Sequence, residues 1–160
     1  MSREAVVAFV GLGGNLGDAA GCLITAMSEL DRLAGTRVTG RSCLYRSAPH
    51  EASGPDFINA VVKITTRLSA PDLLVALQHM ELAAGRVRPY PNAPRTLDLD
   101  LLLYGSARVD SPQLTLPHPR MMERAFVLVP LAEIAPDRVD AALLEVLHGQ
   151  EISVFHAPGK

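Results

Sequence analysis

The 160-residue chain has no tryptophan, three tyrosines and four phenylalanines, so its core must be filled by aliphatic side chains. Its two cysteines, Cys22 and Cys43, stand alone in sequence with no metal-ligand spacing. That excludes a disulfide framework or a zinc knuckle and reads as two buried small apolar residues in a reducing compartment, with cytoplasm as the expected location. No block of like charge occurs. Fifteen Lys and Arg against seventeen Asp and Glu leave a net charge of −2, less basic than a protein that grips nucleic acid through many phosphates. No apolar run approaches the roughly 20 residues that span a bilayer, so no membrane partner is expected. The start, Met1-Ser2-Arg3-Glu4, lacks the cationic and apolar pattern of a secretory signal. Repeats and low-complexity tracts are missing as well. What remains is a chain 48% hydrophobic, enough for one core, and residues 1–160 read as one domain. Several of the twelve prolines cluster between residues 89 and 119, which predicts ordered but irregular loops there.

Ala5 to Leu12 is a continuous small and β-branched run that predicts a central strand, closed by a turn at Gly13-Gly14. After Asp18, a candidate N-cap, Leu23, Met27, Leu30 and Ala34 recur at helical spacing before a stop at Gly35. Thr36 to Tyr45 and Phe57 to Thr66 read as strands joined by a long turn-rich loop. Ser69-Ala-Pro-Asp72 opens a second helix with Leu73, Leu77, Met80 and Ala84 on one face, ending at Gly85. Thr96 to Tyr104 reads as a strand with leucine at every odd position from 97 to 103 on one side. Helical stretches at Met121 to Ile134 and Ala141 to Leu147 follow, interrupted at Pro130 and Pro136. The order β-α-β-β-α-β predicts an α+β, ferredoxin-like sandwich: an antiparallel sheet with helices on one face, its other face left free, plus C-terminal helical additions.

Asp98 and Asp100 are the strongest local signal, because positions i and i+2 of a strand share a face with Cβ atoms about 7 Å apart. Two carboxylates aimed together repel unless a proton or cation sits between them, and hard Mg²⁺ shared with substrate phosphates is the common solution. Two solvated acids on an exposed face are the plainer alternative. Arg86, Arg88 and Arg95 arrive just upstream with no acid among them. Guanidinium forks beside a metal site suit a polyphosphate, although they could equally be surface ion-pair partners of the two acids. Pro117-His118-Pro119 fixes a histidine before Arg120 and Arg124, for either a structural or a functional end. Phe57 and Asn59 share a strand face, and an aromatic plane beside an amide fits a flat heterocycle as well as it fits a core edge. The glycine run 11–17 misses the dinucleotide fingerprint, since Leu16 stands where glycine is needed, and no Walker A pattern occurs.

Taken in order, Gly13-Gly-Asn-Leu-Gly-Asp18, Tyr45-Arg-Ser-Ala-Pro49, Asp56-Phe-Ile-Asn59, Glu81 with Gly85-Arg-Val-Arg88, Pro94-Arg-Thr-Leu-Asp-Leu-Asp-Leu-Leu-Leu-Tyr-Gly105 and Leu116-Pro-His-Pro119 resemble the 6-hydroxymethyl-7,8-dihydropterin pyrophosphokinases of folate biosynthesis. The resemblance runs from about residue 5 to residue 137, and the Pro-Arg-Thr-Leu-Asp-Leu-Asp block is its specific part. It implies transfer of diphosphate from ATP, as co-substrate, to the hydroxymethyl oxygen of the pterin, with AMP released. It further implies that Asp98 and Asp100 hold two Mg²⁺ ions and that Arg86 and Arg95 neutralise phosphate charge. His118 and Arg124 would also face phosphates, with Gln78 and Glu81 at the ATP site. Phe57 and Phe126 would sandwich the pterin, Asn59 would bind its edge, and Ser47, Ala48 and His50 would add contacts. A monomer with two small-molecule substrates is expected. The alternative is a ferredoxin-like module that binds RNA or a small ligand without catalysis.

The chain departs from that family's usual pattern in three places. Asn92-Ala93 stand where Trp-Gly is frequent, so closure of that loop would use other contacts, Tyr90 among them. Pro119 replaces a frequent tyrosine, and Ser47-Ala48 replace a frequent Thr-Pro.

Overall fold

A computed structural model describes residues 4–15, 18–48, 56–84, 97–147, 149–150 and 152–155. The first strand, β1, covers Val6–Gly14, and α1 follows at Ala19–Arg32. Asp18 caps α1 through its carboxylate, which accepts the Gly21 N–H at 3.0 Å. Gly35 ends the helical turn with φ of +62°, a left-handed backbone that a Cβ would strain. The next predicted strand is two pieces, β2 at Thr36–Arg41 and β3 at Tyr45–Ser47, which both pair with β4 at Phe57–Thr66. Three residues, 42–44, oppose two on β4 between these pieces, a bulge pinned by Ser42, whose N–H donates to the Val61 carbonyl and whose Oγ accepts the Val61 N–H.

Helix α2, Ala70–Ala83, starts on Ser69, whose Oγ accepts the Asp72 N–H, and has proline in its first turn. Gly85, its predicted stop, lies outside the described residues. Strand β5 is Asp98–Tyr104. The small pair β6, Val109–Asp110, and β7, Thr115–Leu116, precedes a 3₁₀ turn at Met121–Glu123 and helix α3 at Ala125–Ile134. Helix α4, Ala141–Val146, and a short strand β8, Ile152–Val154, complete the described chain.

The sheet is antiparallel in the order β5-β1-β4-β3-β8, with β2 also on β4. With β1 and β4 central and β5 outside β1, this is the ferredoxin-like arrangement. One face carries Ala8, Val10 and Leu12 of β1, Ile58, Ala60, Val62 and Ile64 of β4, and Leu97, Leu99 and Leu101, all packed on α1 and α2. The opposite face is not free. Phe9, Val61 and Leu102 meet Leu128 and Leu131 of α3 in a second core, because α3 is apolar on most sides and must bury itself against the sheet. Leucine alternation in β5 also breaks. Val10 pairs with Leu101 and Phe9 with Leu103, so Leu102 is an extra residue; Leu102 and Leu103 turn to the α3 face and Tyr104 returns to the first core.

Other expectations need correction. Pro130 lies inside α3 and does not end it; the break comes at Arg124, with extended φ −124° and ψ 110°. Gly13 and Gly14 belong to β1 and form no turn. Cys22 is half-buried and Cys43 is exposed, both as free thiols, since Cys43 sits on the bulge outside the ladder.

Candidate active site

A cleft opens on the α3 face, at the end of the sheet where β1, β4 and β5 run side by side. Its lining includes Gly11 and Gly13, Ser47 and Ala48, Phe57 and Asn59, Asp98 and Asp100, and Arg124 and Phe126. The strand register explains this gathering. Gly13 pairs with Asn59 on one side and Asp98 on the other, and Gly11 pairs with Asp100, so the amide and the two acids flank a floor of bare backbone. A Cβ on Gly13 would stand 3.3 Å from Asn59 Nδ2. These two glycines were not singled out by sequence as floor residues; the signal was their i, i+2 spacing in a strand.

On the β5 side, Asp98 and Asp100 are both half-buried and project from one face, as the spacing predicts. The outer edge of β5 is held from two directions. Glu81, 4% exposed at the end of α2, accepts the Leu99 N–H at 2.7 Å, between the two acids. The His118 N–H donates to the Leu102 carbonyl at 3.0 Å. His118 Nδ1 accepts the Arg120 N–H at 3.2 Å, which leaves Nε2 turned toward Asp100, 3.9 Å from its Oδ1. Burial, and then the Arg124 charge, hold His118 below the ordinary imidazole range against the opposing pull of Asp98. Among the described residues no group of three or more His, Cys, Asp or Glu is arranged to hold a metal by itself. A cation at the Asp98–Asp100 pair would be held by one or two carboxylates and by further oxygens from outside the pair, a donor set that suits Mg²⁺.

On the other side, Ser47 and Phe57 are cross-strand partners and Ser47 Oγ donates to Asn59 Oδ1 at 2.8 Å, with Ser47 and Asn59 both buried. The roof comes from α3. The break at Arg124 frees its side chain to lie over the Phe126 ring, 5.3 Å from the centroid, and both reach the cleft. Glu133, further along α3, accepts from the Tyr45 hydroxyl at 2.6 Å and from the Cys43 N–H at 3.0 Å. The roof is thereby tied to the strand that carries Ser47.

Of the residues singled out by sequence, Ser47, Ala48, Phe57, Asn59, Asp98, Asp100, Arg124 and Phe126 thus line one cleft, with His118 beside Asp100. Gln78 is exposed on α2 and, like Glu81, is not part of the lining. Arg120 is exposed and does not line the cleft either. His50, Arg86, Arg88, Tyr90, Asn92, Ala93 and Arg95 lie outside the described residues.

Comparison with known proteins agrees with this geometry. The family model described as 7,8-dihydro-6-hydroxymethylpterin-pyrophosphokinase (HPPK) matches residues 9–136. The 2-amino-4-hydroxy-6-hydroxymethyldihydropteridine pyrophosphokinase of a Synechocystis strain is 49% identical over 133 residues, 83% of this chain and 68% of that protein. The protein of the same name from Methylorubrum extorquens is 47% identical, covering 82% of this chain and 84% of its own length. Among solved structures, Plasmodium falciparum HPPK-DHPS superimposes with a TM-score of 0.70 over 92% of this chain and 43% of that one. At 12% identity that likeness speaks for the fold alone. An acidic pair and an aromatic, amide-edged slot facing each other across two glycines, within a sequence matched along most of its length, place this chain in the 7,8-dihydro-6-hydroxymethylpterin pyrophosphokinase family.

Proposed function

We propose that the protein transfers the terminal diphosphate of ATP to the hydroxymethyl oxygen of 6-hydroxymethyl-7,8-dihydropterin and releases AMP, a step of folate biosynthesis. The observation that carries the reading is the placement of a flat-ring slot opposite a carboxylate pair on one sheet face. From β4 to β5 across β1 is two strand spacings, about 10 Å. That is the reach of a bicyclic ring with a one-carbon arm.

The ring lies over Gly11 and Gly13 between Phe57 and Phe126, with its polar edge on Asn59 and its arm directed at Asp98 and Asp100. There the hydroxyl oxygen attacks the β-phosphorus as its O–H bond breaks and the proton passes to water, the bond from that phosphorus to the oxygen bridging to the α-phosphate breaks, and AMP leaves with the bridging oxygen. Mg²⁺ held by Asp98 and Asp100, two ions in this proposal, supplies neutralisation of the phosphate oxygens as charge moves to the leaving group. Arg124 presents a guanidinium fork to the phosphates from the roof, and His118 faces the same oxygens from the outer edge of β5. Arg86 and Arg95 complete the neutralisation, and Gln78 sits toward the nucleotide. His50 adds to the pterin contacts, while Glu81 serves by fixing β5 between its two acids. Residues 1–160 act as one domain, a cytoplasmic monomer.

Incubation with ATP, Mg²⁺ and the hydroxymethyl dihydropterin is expected to yield AMP in step with the pterin diphosphate. ADP as product, or no turnover, would overturn the reading. Asp98→Ala and Asp100→Ala are each expected to lower kcat by at least about 100-fold with the melting temperature little changed. Full activity in both would remove the metal assignment.

A further inference from the structure

Among the described helices, α1, α2 and α4 each begin on a short polar side chain that caps the first turn: Asp18, Ser69 and Asp140. Helix α3 does not. Arg124 stands at its N-cap and makes no side-chain cap, because the guanidinium lies over the Phe126 ring and lines the cleft. A side chain turned to the cleft cannot also serve the helix start, whose first N–H groups need an acceptor from elsewhere.

Gln150 supplies one from 25 residues beyond Ala125. Its Oε1 accepts the Ala125 N–H at 2.9 Å, and its Nε2 donates to the Glu123 carbonyl at 2.9 Å. One amide thus brackets Arg124 from both sides. Its orientation is settled by its partners, since a backbone N–H can only donate and a backbone carbonyl can only accept. The bracketed residue is the extended step between the 3₁₀ turn and α3, and its own N–H reaches the Met121 carbonyl only at 3.3 Å, beyond the usual range.

Gln150 is itself held in place. Its N–H donates to the Leu147 carbonyl at 2.9 Å, and Leu147 is buried in the second core, against which Ile152 also packs. Ile152 pairs in turn with Ser47 of β3. The bracket therefore hangs from the segment that closes the sheet beside the cleft, and it lies beyond residues 9–136, over which the chain matches its family.

We propose that Gln150 is a positioning residue for the phosphates: by closing the backbone on both sides of Arg124, it holds the guanidinium at the cleft. The inference rests on the reading of Arg124 as a phosphate ligand and deepens it. A guanidinium fork engages phosphate oxygens best when its direction is set before the substrate arrives, because less freedom is then lost on binding.

The test is a double-mutant cycle on the full chain. Steady-state kcat/KM for ATP, with Mg²⁺ and saturating hydroxymethyl dihydropterin, is followed by AMP release for the wild-type protein, Arg124→Ala, Gln150→Ala and the double variant. Arg124→Ala is expected to lower kcat/KM by about 100-fold. Gln150→Ala is expected to lower it by about tenfold, with the melting temperature little reduced because Gln150 is exposed. In the Arg124→Ala background the same change is expected to cost less than about twofold, because the group it positions is gone. Gln150→Met keeps the length of the side chain without either hydrogen bond; it is expected to match the alanine variant, and serves if that variant fails to fold. Wild-type kinetics in either Gln150 variant, or an equal loss with and without Arg124, overturns the bracket's role while leaving Arg124 on the phosphates. Wild-type activity in Arg124→Ala overturns the phosphate reading of Arg124 and the bracket's role with it.

Discussion

Gly13 shows how much of this site depends on a missing side chain. Its backbone is ordinary β-strand, so alanine is tolerated there conformationally; what a methyl group meets is Asn59 Nδ2 at 3.3 Å and the space over the cleft floor. Gly13→Ala is expected to raise KM for the pterin roughly tenfold and leave KM for ATP within about twofold, with melting temperature little altered. Steady-state kinetics with each substrate varied in turn check this, and equal effects on both would show that Gly13 is not the floor of the ring slot. Asp98 and Asp100 were legible as a pair from spacing alone, because strand alternation dictates that i and i+2 share a face. The Ser47–Asn59 bond was not. It links residues twelve apart on different strands, and only the β3–β4 register brings them together.

At the scale of elements, capping and periodicity were readable. Asp18 and Ser69 cap the helices as their sequence contexts predict, and Phe57–Thr66 is a strand over the residues its pattern marks. Bulges were not readable, since an extra residue in a strand shows only against its partner: the shift at Leu102 and the break at residues 42–44 follow from pairing with β1 and β4. The second break leads to a contact between elements that is testable by pH. Burial, together with the hydrogen bond and charge of Glu133, raises the Tyr45 hydroxyl above the usual phenol range. A phenol raised in the folded state stays protonated where the unfolded chain ionises. Its contribution is therefore present below the unfolded pKa of about 10 and lost as pH rises above that value. The stability of the wild-type protein over Tyr45→Phe is expected to shrink between pH 9 and about 11.5 in denaturant melts. A constant difference across that range would show that the hydroxyl is not held this way.

Over the whole molecule, one sheet carries two cores, and the cleft exists because the second core stops short of the sheet's end. Leu128 is fully buried between α3 and the strands, in the same helix that presents Phe126 to the cleft. Leu128→Ala is expected to cost about 2–5 kcal/mol in chemical denaturation and to weaken pterin binding more than ATP binding, because the roof loosens on the ring side. Unchanged pterin affinity in a destabilised variant would separate the roof from the slot. No helix among the described residues is long and apolar enough to cross a membrane. Arg124 reaches the cleft at the chain break that also starts α3.

By itself the sequence determined what local chemistry can encode: which residues form strands and helices, which faces are apolar, and that two acids share one face of a strand near an aromatic and an amide. Its apolar patterning also implied one face packed by α1 and α2. Only the tertiary structure decided that α3 covers part of the opposite face, that Gly11 and Gly13 form a floor, and that Ser47 is hydrogen-bonded to Asn59. Those outcomes depend on register between segments far apart in sequence, and a one-residue shift of register turns every side chain of a strand to the other face.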